Sequence, residues 1–421
     1  MSLLSSRRAA IEALRRWRTE TRFADAIIAK LLVEAKLSSS DRAFALELFY
    51  GVLRNLTLLD FWIDCLRPAQ LDVDLRDILR LGLYQLFCLE TPEHAAVYET
   101  VEIARKRGRP VINGILRSAA RRQAELRSQA QAQPLFVRTS HPQFLVERWQ
   151  RSFGEKATEA LCAWNNEPPP VYGRINRLKI GPEKFLLENP ESKPLPTNPD
   201  FVEFHSFPDD ALNRGYCYIQ DPSTAIACRL LDPHPGEKVL DVCAAPGGKT
   251  SYVAALMKNQ GLVVACDREP DRLRILEENV ARLGLEIARV LPCDWESGCI
   301  GEPIASAAPF DRVMVDAPCS NTGVMRRRVD ARWRLTPGDF VHMQKRQLNI
   351  LRAVCPLLKS GGVLVYSTCS LEREENEDVT RSIMAELPIL ALEDQIHSLP
   401  FRDGFDGAFG AKFVAGRQTP G

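Results

Sequence analysis

From Tyr216 to the carboxyl end, short β-branched and apolar runs alternate with longer amphipathic stretches, and this alternation constrains the fold more than any other feature. It predicts an α/β unit, a parallel sheet with helices on both faces, because parallel neighbours need a crossover long enough to hold a helix. Strands are expected at 238–242, 261–266, 288–291, 312–315 and 363–367, and helices at 250–257, 270–283 and 340–358. A last β-hairpin is expected at 404–415. Open sheets of this kind bind ligands at the carboxyl ends of their strands, so the chemistry is to be sought there.

The first of these strands runs into Asp241-Val242-Cys243-Ala244-Ala245-Pro246-Gly247-Gly248-Lys249-Thr250. Small residues and two glycines let the backbone approach a ligand, and the helix that follows offers free amide donors to a carboxylate. A Walker A phosphate loop would need glycine where Cys243 stands, and the Gly-x-Gly-x-x-Gly of dinucleotide folds is absent. Asp267 ends the second strand, where an acid can accept both hydroxyls of a ribose. Asp294 ends the third and could hold an adenine amino group. Each aspartate alone reads as a turn or capping residue, but together the three strand ends provide what one nucleoside ligand needs.

The fourth strand ends in Asp316-Ala317-Pro318-Cys319-Ser320 and the fifth in Tyr366-Ser367-Thr368-Cys369-Ser370. A right-handed crossover through the 340–358 helix should make these strands neighbours and bring both thiols to the ligand edge. Either thiol alone would read as core packing. The pair suits methylation at carbon 5 of cytosine, a poor nucleophile until a thiolate adds at carbon 6 and turns the ring into an enamine. A free thiol is only a few per cent ionised at neutral pH, so nearby positive charge would help. A carboxyl group at the base edge can serve ring nitrogen 3, and a base must then remove the carbon 5 proton. Enzymes that methylate amino groups typically carry Asp/Asn-Pro-Pro-aromatic at this strand end, and Asp-Ala-Pro-Cys argues for carbon instead.

Residues 1–128 read as helices only. Ser40 is a candidate cap for a helix with Phe44, Leu48, Val52 and Leu56 facing inward, and Ile78, Leu81, Leu83, Tyr84 and Phe87 form a second stripe. Residues 1–18, rich in Arg and Ser, could be a transit peptide, but Ala10, Ile11, Leu14 and Trp17 at helical spacing favour a first helix. The net charge of +1 hides an asymmetry, since residues 1–130 hold 21 Lys and Arg against 16 Asp and Glu. That excess could serve RNA phosphates. Within it, Arg105-Lys106-Arg107-Gly108-Arg109 reads equally as an RNA contact or a solvated helix end. The polar residues that open 129–140 suggest a linker. Beyond them 142–165 should be one amphipathic helix, stopped by Pro168-Pro169-Pro170, with a strand from Val171, so that 141–215 forms a small α+β unit.

Twelve cysteines without a Cys-x-x-Cys pair make a structural metal unexpected and favour the reducing cytoplasm. No apolar run approaches the ~20 residues of a membrane span.

Leu46-Glu47-Leu48-Phe49-Tyr50-Gly51-Val52-Leu53-Arg54, Gly82-Leu83-Tyr84-Gln85-Leu86 and Val111-Ile112-Asn113-Gly114-Ile115-Leu116-Arg117 resemble the RNA-binding NusB family. The Cys243 to Thr250 loop, Asp316-Ala317-Pro318-Cys319-Ser320 and Thr368-Cys369-Ser370 look like the RNA cytosine-5 methyltransferase family. With Arg174-Ile175-Asn176-Arg177, the whole chain is similar to its RsmB/Sun branch, which modifies 16S ribosomal RNA. The resemblance implies a NusB-like all-helical RNA-binding domain at 1–128, a small α+β RNA-binding subdomain at 141–215 and a Rossmann-like methyltransferase domain at 216–421. It implies S-adenosyl-L-methionine bound by Cys243, Ala244, Ala245, Pro246, Gly247, Gly248, Lys249, Asp267, Asp294 and Asp316. It implies Cys369 as nucleophile, Cys319 for proton removal or product release, Asp316 at ring nitrogen 3, and a target of the cytosine 967 type. Arg326, Arg327, Arg328 and Trp333 would contact RNA, the alternative being a solvated basic surface with a packed Trp. Val329 stands where the branch commonly has proline, which puts the local loop shape in question. A transfer RNA or 23S ribosomal RNA substrate, or a non-catalytic ribosome assembly factor, are the rival readings. Intact Cys319 and Cys369 weigh against the last. A monomer without membrane contact is expected.

Overall fold

In the computed structural model, which describes residues 5–416, the amino-terminal part is helical for the reason its periodicity gives. Helix Ser6–Thr19 buries Ala9, Ala10, Ala13 and Leu14, and helix Ser39–Arg54 buries Leu48, Phe49 and Val52. Helix Val73–Phe87 buries Leu79, Leu83 and Tyr84, and all these residues share one apolar core. Gly51 is required there, since a Cβ would lie 2.0 Å from the Tyr84 ring. The cap of helix Ser39–Arg54 is Ser38 rather than Ser40, its Oγ accepting from the Asp41 amide at 3.1 Å.

Residues 129–140 correct the linker expectation. Helix Gln123–Gln131 continues into this stretch with Leu126 and Ala130 buried one turn apart, Leu135–Arg138 adds another turn, and Ser140 is buried. The helix expected over 142–165 is two, Gln143–Phe153 and Glu155–Asn166, parted at Gly154, whose φ of +83° no helix accommodates. By their packing both belong to the helical unit, which runs to Pro168 and also takes in Met325–Leu335.

The second unit, Pro169–Val324 with the chain from Thr336 onward, holds two sheets. The small one is antiparallel, ordered β2-β3-β1-β4 from β1 (Val171–Ile175), β2 (Lys193–Leu195), β3 (Asn198–Phe204) and β4 (Cys217–Ile219). The large one has seven strands ordered β10-β11-β9-β8-β5-β6-β7. They are β5 (Lys238–Asp241), β6 (Leu262–Asp267), β7 (Ala288–Pro292), β8 (Phe310–Asp316), β9 (Leu358–Thr368), β10 (Leu390–Ser398) and β11 (Ala408–Ala415). From β9 to β7 all pairs are parallel, and Val239, Leu240, Val263, Val264, Val313, Val315 and Leu364 are buried, as a sheet covered on both faces requires.

The chain winds from β5 outward to β7 and returns to β8 on the other side of β5, so the strand order reverses between β5 and β8. That switch point is where ligands bind in such sheets. The expected terminal hairpin is corrected. β11 pairs with β10, which lies wholly before residue 404, and residues 404–415 supply only one strand. β10 escapes the pattern because its Leu-Ala-Leu-Glu-Asp-Gln-Ile-His-Ser is an edge strand with few buried side chains.

Candidate active site

The loop after β5 turns into helix Gly248–Leu256 through Gly247, which has a φ of +107° and no room for a Cβ beside Leu276, 2.8 Å away. β1 holds this loop from behind. Buried Arg174 donates from Nε to Gln220 Oε1 at 3.0 Å and from Nη2 to Ser251 Oγ at 2.5 Å and Gly248 O at 3.4 Å. Its guanidinium also lies 4.7 Å from the Tyr252 ring centroid.

Carboxylates gather at the switch point. Asp241, which the sequence pattern did not single out, is fully buried. Its Oδ2 accepts from Thr250 Oγ1 at 2.7 Å, its Oδ1 has no partner, and burial pushes its carboxyl up to about 7. Asp267 is 4% exposed; Oδ1 accepts from the Glu269 amide at 3.2 Å. Its Oδ2 makes no formed hydrogen bond, although Arg272 Nη2 lies 3.3 Å away. Asp316 Oδ2 accepts from Lys249 Nζ at 2.7 Å and Oδ1 from Ser367 Oγ at 2.9 Å. Burial opposes the Lys249 charge, but the Asp316 carboxylate prevails and raises the ammonium pKa. The Cys243 thiol is pushed up by burial and then by Asp316, Asp267 and Asp241 together.

Three carboxylates thus crowd Cys243 against two cations, the Lys249 ammonium on Asp316 and the Arg272 guanidinium beside Asp267, with two buried carboxylate oxygens, on Asp241 and Asp267, lacking hydrogen bonds. A ligand carrying cationic centres and hydroxyl donors satisfies that set. Asp294, at the end of β7, is exposed and its side chain accepts from the Glu296 amide at 3.1 Å, capping the turn Trp295–Ser297.

The β8 and β9 loops bring the thiols together. Register pairs Asp316 with Ser367, and two or three residues on Cys319 Sγ and Cys369 Sγ are 3.3 Å apart. Cys319 is buried and Cys369 half-buried. Cys369 hydrogen-bonds Cys319 and, with burial, raises the Cys319 pKa well above the ordinary thiol value. Cys369 Sγ also donates to Asn321 Oδ1 at 3.3 Å, while Asn321 Nδ2 donates to the Cys319 carbonyl at 3.0 Å. Asn321 sits at φ +61°, a conformation asparagine tolerates. Sequence reasoning missed Asn321 and also buried Glu375, which accepts hydrogen bonds beneath both thiol loops. Glu375 stands in an acidic run that reads as the solvated start of a helix, so no signal separated it.

The two basic stretches differ. Arg105, Lys106 and Arg107 are exposed in the turn between helices Glu93–Val101 and Arg109–Arg121. Arg109 is tied to Glu102 Oε1 at 2.8 Å and to the Ala104 carbonyl at 3.2 Å. Arg326 does not suit the RNA expectation. It is 8% exposed, its guanidinium 4.1 Å from the Trp164 ring centroid and hydrogen-bonded to the carbonyls of Glu167 and Pro168 at 3.2 and 2.8 Å. Trp333 is the packed Trp of the alternative reading, its Nε1 donating to the Leu53 carbonyl at 2.9 Å. Arg327 is half-buried, and exposed Arg328 lies 3.8 Å from Asp25.

A Rossmann-like sheet with buried carboxylates at its switch point and a thiol pair beside them fits a methyltransferase that uses S-adenosylmethionine. The family described as 16S rRNA methyltransferase RsmB/F matches residues 228–413, the NusB family 4–121, and the Methyltr_RsmF/B-like, ferredoxin-like domain 141–188. A probable ribosomal RNA small subunit methyltransferase B of Bacillus subtilis is 34% identical, over 92% of this chain and 90% of its own. The ribosomal RNA small subunit methyltransferase B of Escherichia coli is 36% identical, over 91% and 92%. Among solved structures, PH0851 superposes with a TM-score of 0.78 at 25% identity, covering 97% of this chain and 98% of that one. A methyltransferase homolog protein from Pyrococcus horikoshii gives 0.59 at 28%, covering 67% and 97%. The chain belongs to the RsmB/F family of 16S rRNA methyltransferases. Among the described residues no helix is long and apolar enough to cross a membrane.

Proposed function

We propose that the protein methylates carbon 5 of a cytosine in 16S ribosomal RNA through a covalent adduct between Cys369 and carbon 6 of the base. The observation that carries this reading is the thiol pair, 3.3 Å apart at the ends of neighbouring strands, with Cys369 the more open of the two. S-adenosylmethionine supplies the electrophilic methyl group when bound. The Cys243 to Lys249 loop would face its amino-acid end, Asp267 its ribose, Asp294 its adenine, and the carboxylates around Cys243 would balance its positive charge.

Cys369, as thiolate, adds to carbon 6. Asp316, held by Lys249 and Ser367, would face the base edge and share one proton with nitrogen 3; that proton sits on nitrogen 3 while electron density moves to carbon 5 and returns to the carboxylate when the adduct breaks down. Once carbon 5 carries the methyl group, Cys319, as thiolate, takes its remaining proton, and the returning electron pair expels Cys369 as thiolate. The base leaves as 5-methylcytosine, and Cys319 passes the acquired proton to water, so that both cysteines are restored.

The test separates the thiols. Cys369→Ala should abolish methyl transfer and any RNA adduct. Cys319→Ala should accumulate, only with the methyl donor present, an RNA–protein species that survives denaturing electrophoresis. The reverse pattern would exchange the roles, and full turnover without adduct in both variants would sink the covalent route. Mapping the modified base in ribosomal RNA decides the target, and a methyl group found only in transfer RNA or 23S RNA would refute the 16S assignment.

A further inference from the structure

Glu375 is completely buried, and among the described residues no Lys or Arg forms an ion pair with it. Removing a carboxylate from water without a cation is costly unless hydrogen bonds surround it. Here the donors come from the two thiol loops. The Ser320 amide donates to Oε2 at 2.9 Å and the Ser320 hydroxyl donates to Oε1, while Ser370 Oγ donates to Oε1 at 2.6 Å. Ser320 follows Cys319 and Ser370 follows Cys369. The fourth donor, Gln347 Nε2 of helix Asp339–Val354, reaches Oε2 at 3.0 Å and also Pro318 O at 3.0 Å, on the other side of Cys319. One carboxylate therefore gathers a residue next to each thiol and the helix that crosses between their strands.

We propose that Glu375 is a positioning residue that holds the Cys319 and Cys369 loops in one frame, so that both thiols meet the same base. The inference rests on the two-thiol reading above. Its charge has a second effect, because a carboxylate beside Cys319 adds to the forces that keep that thiol protonated. The other ionisable groups around the pair are Cys369 itself, Tyr366 on β9, Asp316 on β8 and Lys249 near Cys369.

Glu375→Gln keeps the shape, removes the charge and turns one acceptor into a donor that faces other donors. With the full chain and a 16S RNA fragment, kcat should fall at least about tenfold, with KM for S-adenosylmethionine unchanged. The rise of kcat with pH should move to lower pH, because Cys319 gives up its proton more readily once the neighbouring charge is gone. Glu375→Asp keeps the charge but is too short to span both loops, so kcat should fall with the pH profile in place. Wild-type kcat in either variant overturns the proposal, as does a Glu375→Gln profile that does not move. If Glu375→Gln does not fold, the Glu375→Asp kcat decides. Cys319→Ala and Cys369→Ala measured alongside keep the two ideas apart, since full activity in both defeats the two-thiol reading whatever Glu375 does.

Discussion

Two arginine-rich stretches that look alike in sequence have opposite settings. Arg105, Lys106 and Arg107 stand in solvent, whereas Arg326 and Arg332 lie inside the helical unit. Arg332 is wholly buried, donating from Nη1 to Ser140 O at 3.2 Å and Asn166 Oδ1 at 2.7 Å, and from Nη2 to Asn165 O at 3.0 Å. Apolar partners mark the difference. Met325 and Val329 are buried among these arginines, and Asp330 accepts from Trp17 Nε1 at 3.1 Å and from the Ala24 amide at 2.9 Å. Helix Ala24–Ala35 has no side-chain cap of its own, so Asp330 supplies an acceptor that the local sequence lacks. Charge density does not report exposure; the company of buried apolar and acceptor groups does.

Arg332→Ala should break this contrast most strongly, stranding three acceptors and leaving a cavity. A loss of about 3 kcal/mol or more in denaturant unfolding is expected, and a wild-type midpoint would return Arg332 to the surface class. Arg326→Ala removes two hydrogen bonds to carbonyls and the Trp164 stack, so stability should fall by about 1–2 kcal/mol. If RNA affinity fell while stability held, Arg326 would bind RNA after all. The triple change of Arg105, Lys106 and Arg107 to Ala should shift stability by less than about 0.5 kcal/mol. It should weaken RNA binding and flatten the salt dependence by about 0.7 for each phosphate that is no longer neutralised. Unchanged salt dependence would make the turn a solvated helix end.

The central parallel strands β5, β6, β8 and β9 were legible because they are largely buried and read as apolar runs. The edge strand β7, none of whose residues is buried, was legible from its place after the 270–283 helix in the alternation. β10 was not, because its polar Glu-Asp-Gln-Ile-His run pairs antiparallel, outside that alternation. The strand-end residues Asp267, Asp316, Cys319 and Cys369 could be picked out because a parallel sheet assigns strand ends a purpose before any neighbour is known. Asn321, Glu375 and Asp241 could not. Their standing comes from partners 48, 55 and 9 residues away in the chain, and composition carries no trace of such pairings. Gly154 stopped a helix that periodicity alone would have continued.

Buried Arg174 has a consequence for how this protein can be cut and recombined. Its β1 backbone belongs to the small sheet, while its guanidinium grips the start of helix Gly248–Leu256, which follows the first strand of the large one. Nearby, Asn176 donates to Gly215 O and Leu283 O, each at 2.9 Å. The small sheet is therefore not a separable cassette. A minimal fragment that starts at Tyr216 would lack Arg174 and strip the start of helix Gly248–Leu256 of its support, and exchanging the accessory sheet between relatives would require carrying Gln220, Ser251 and Tyr252 along with it.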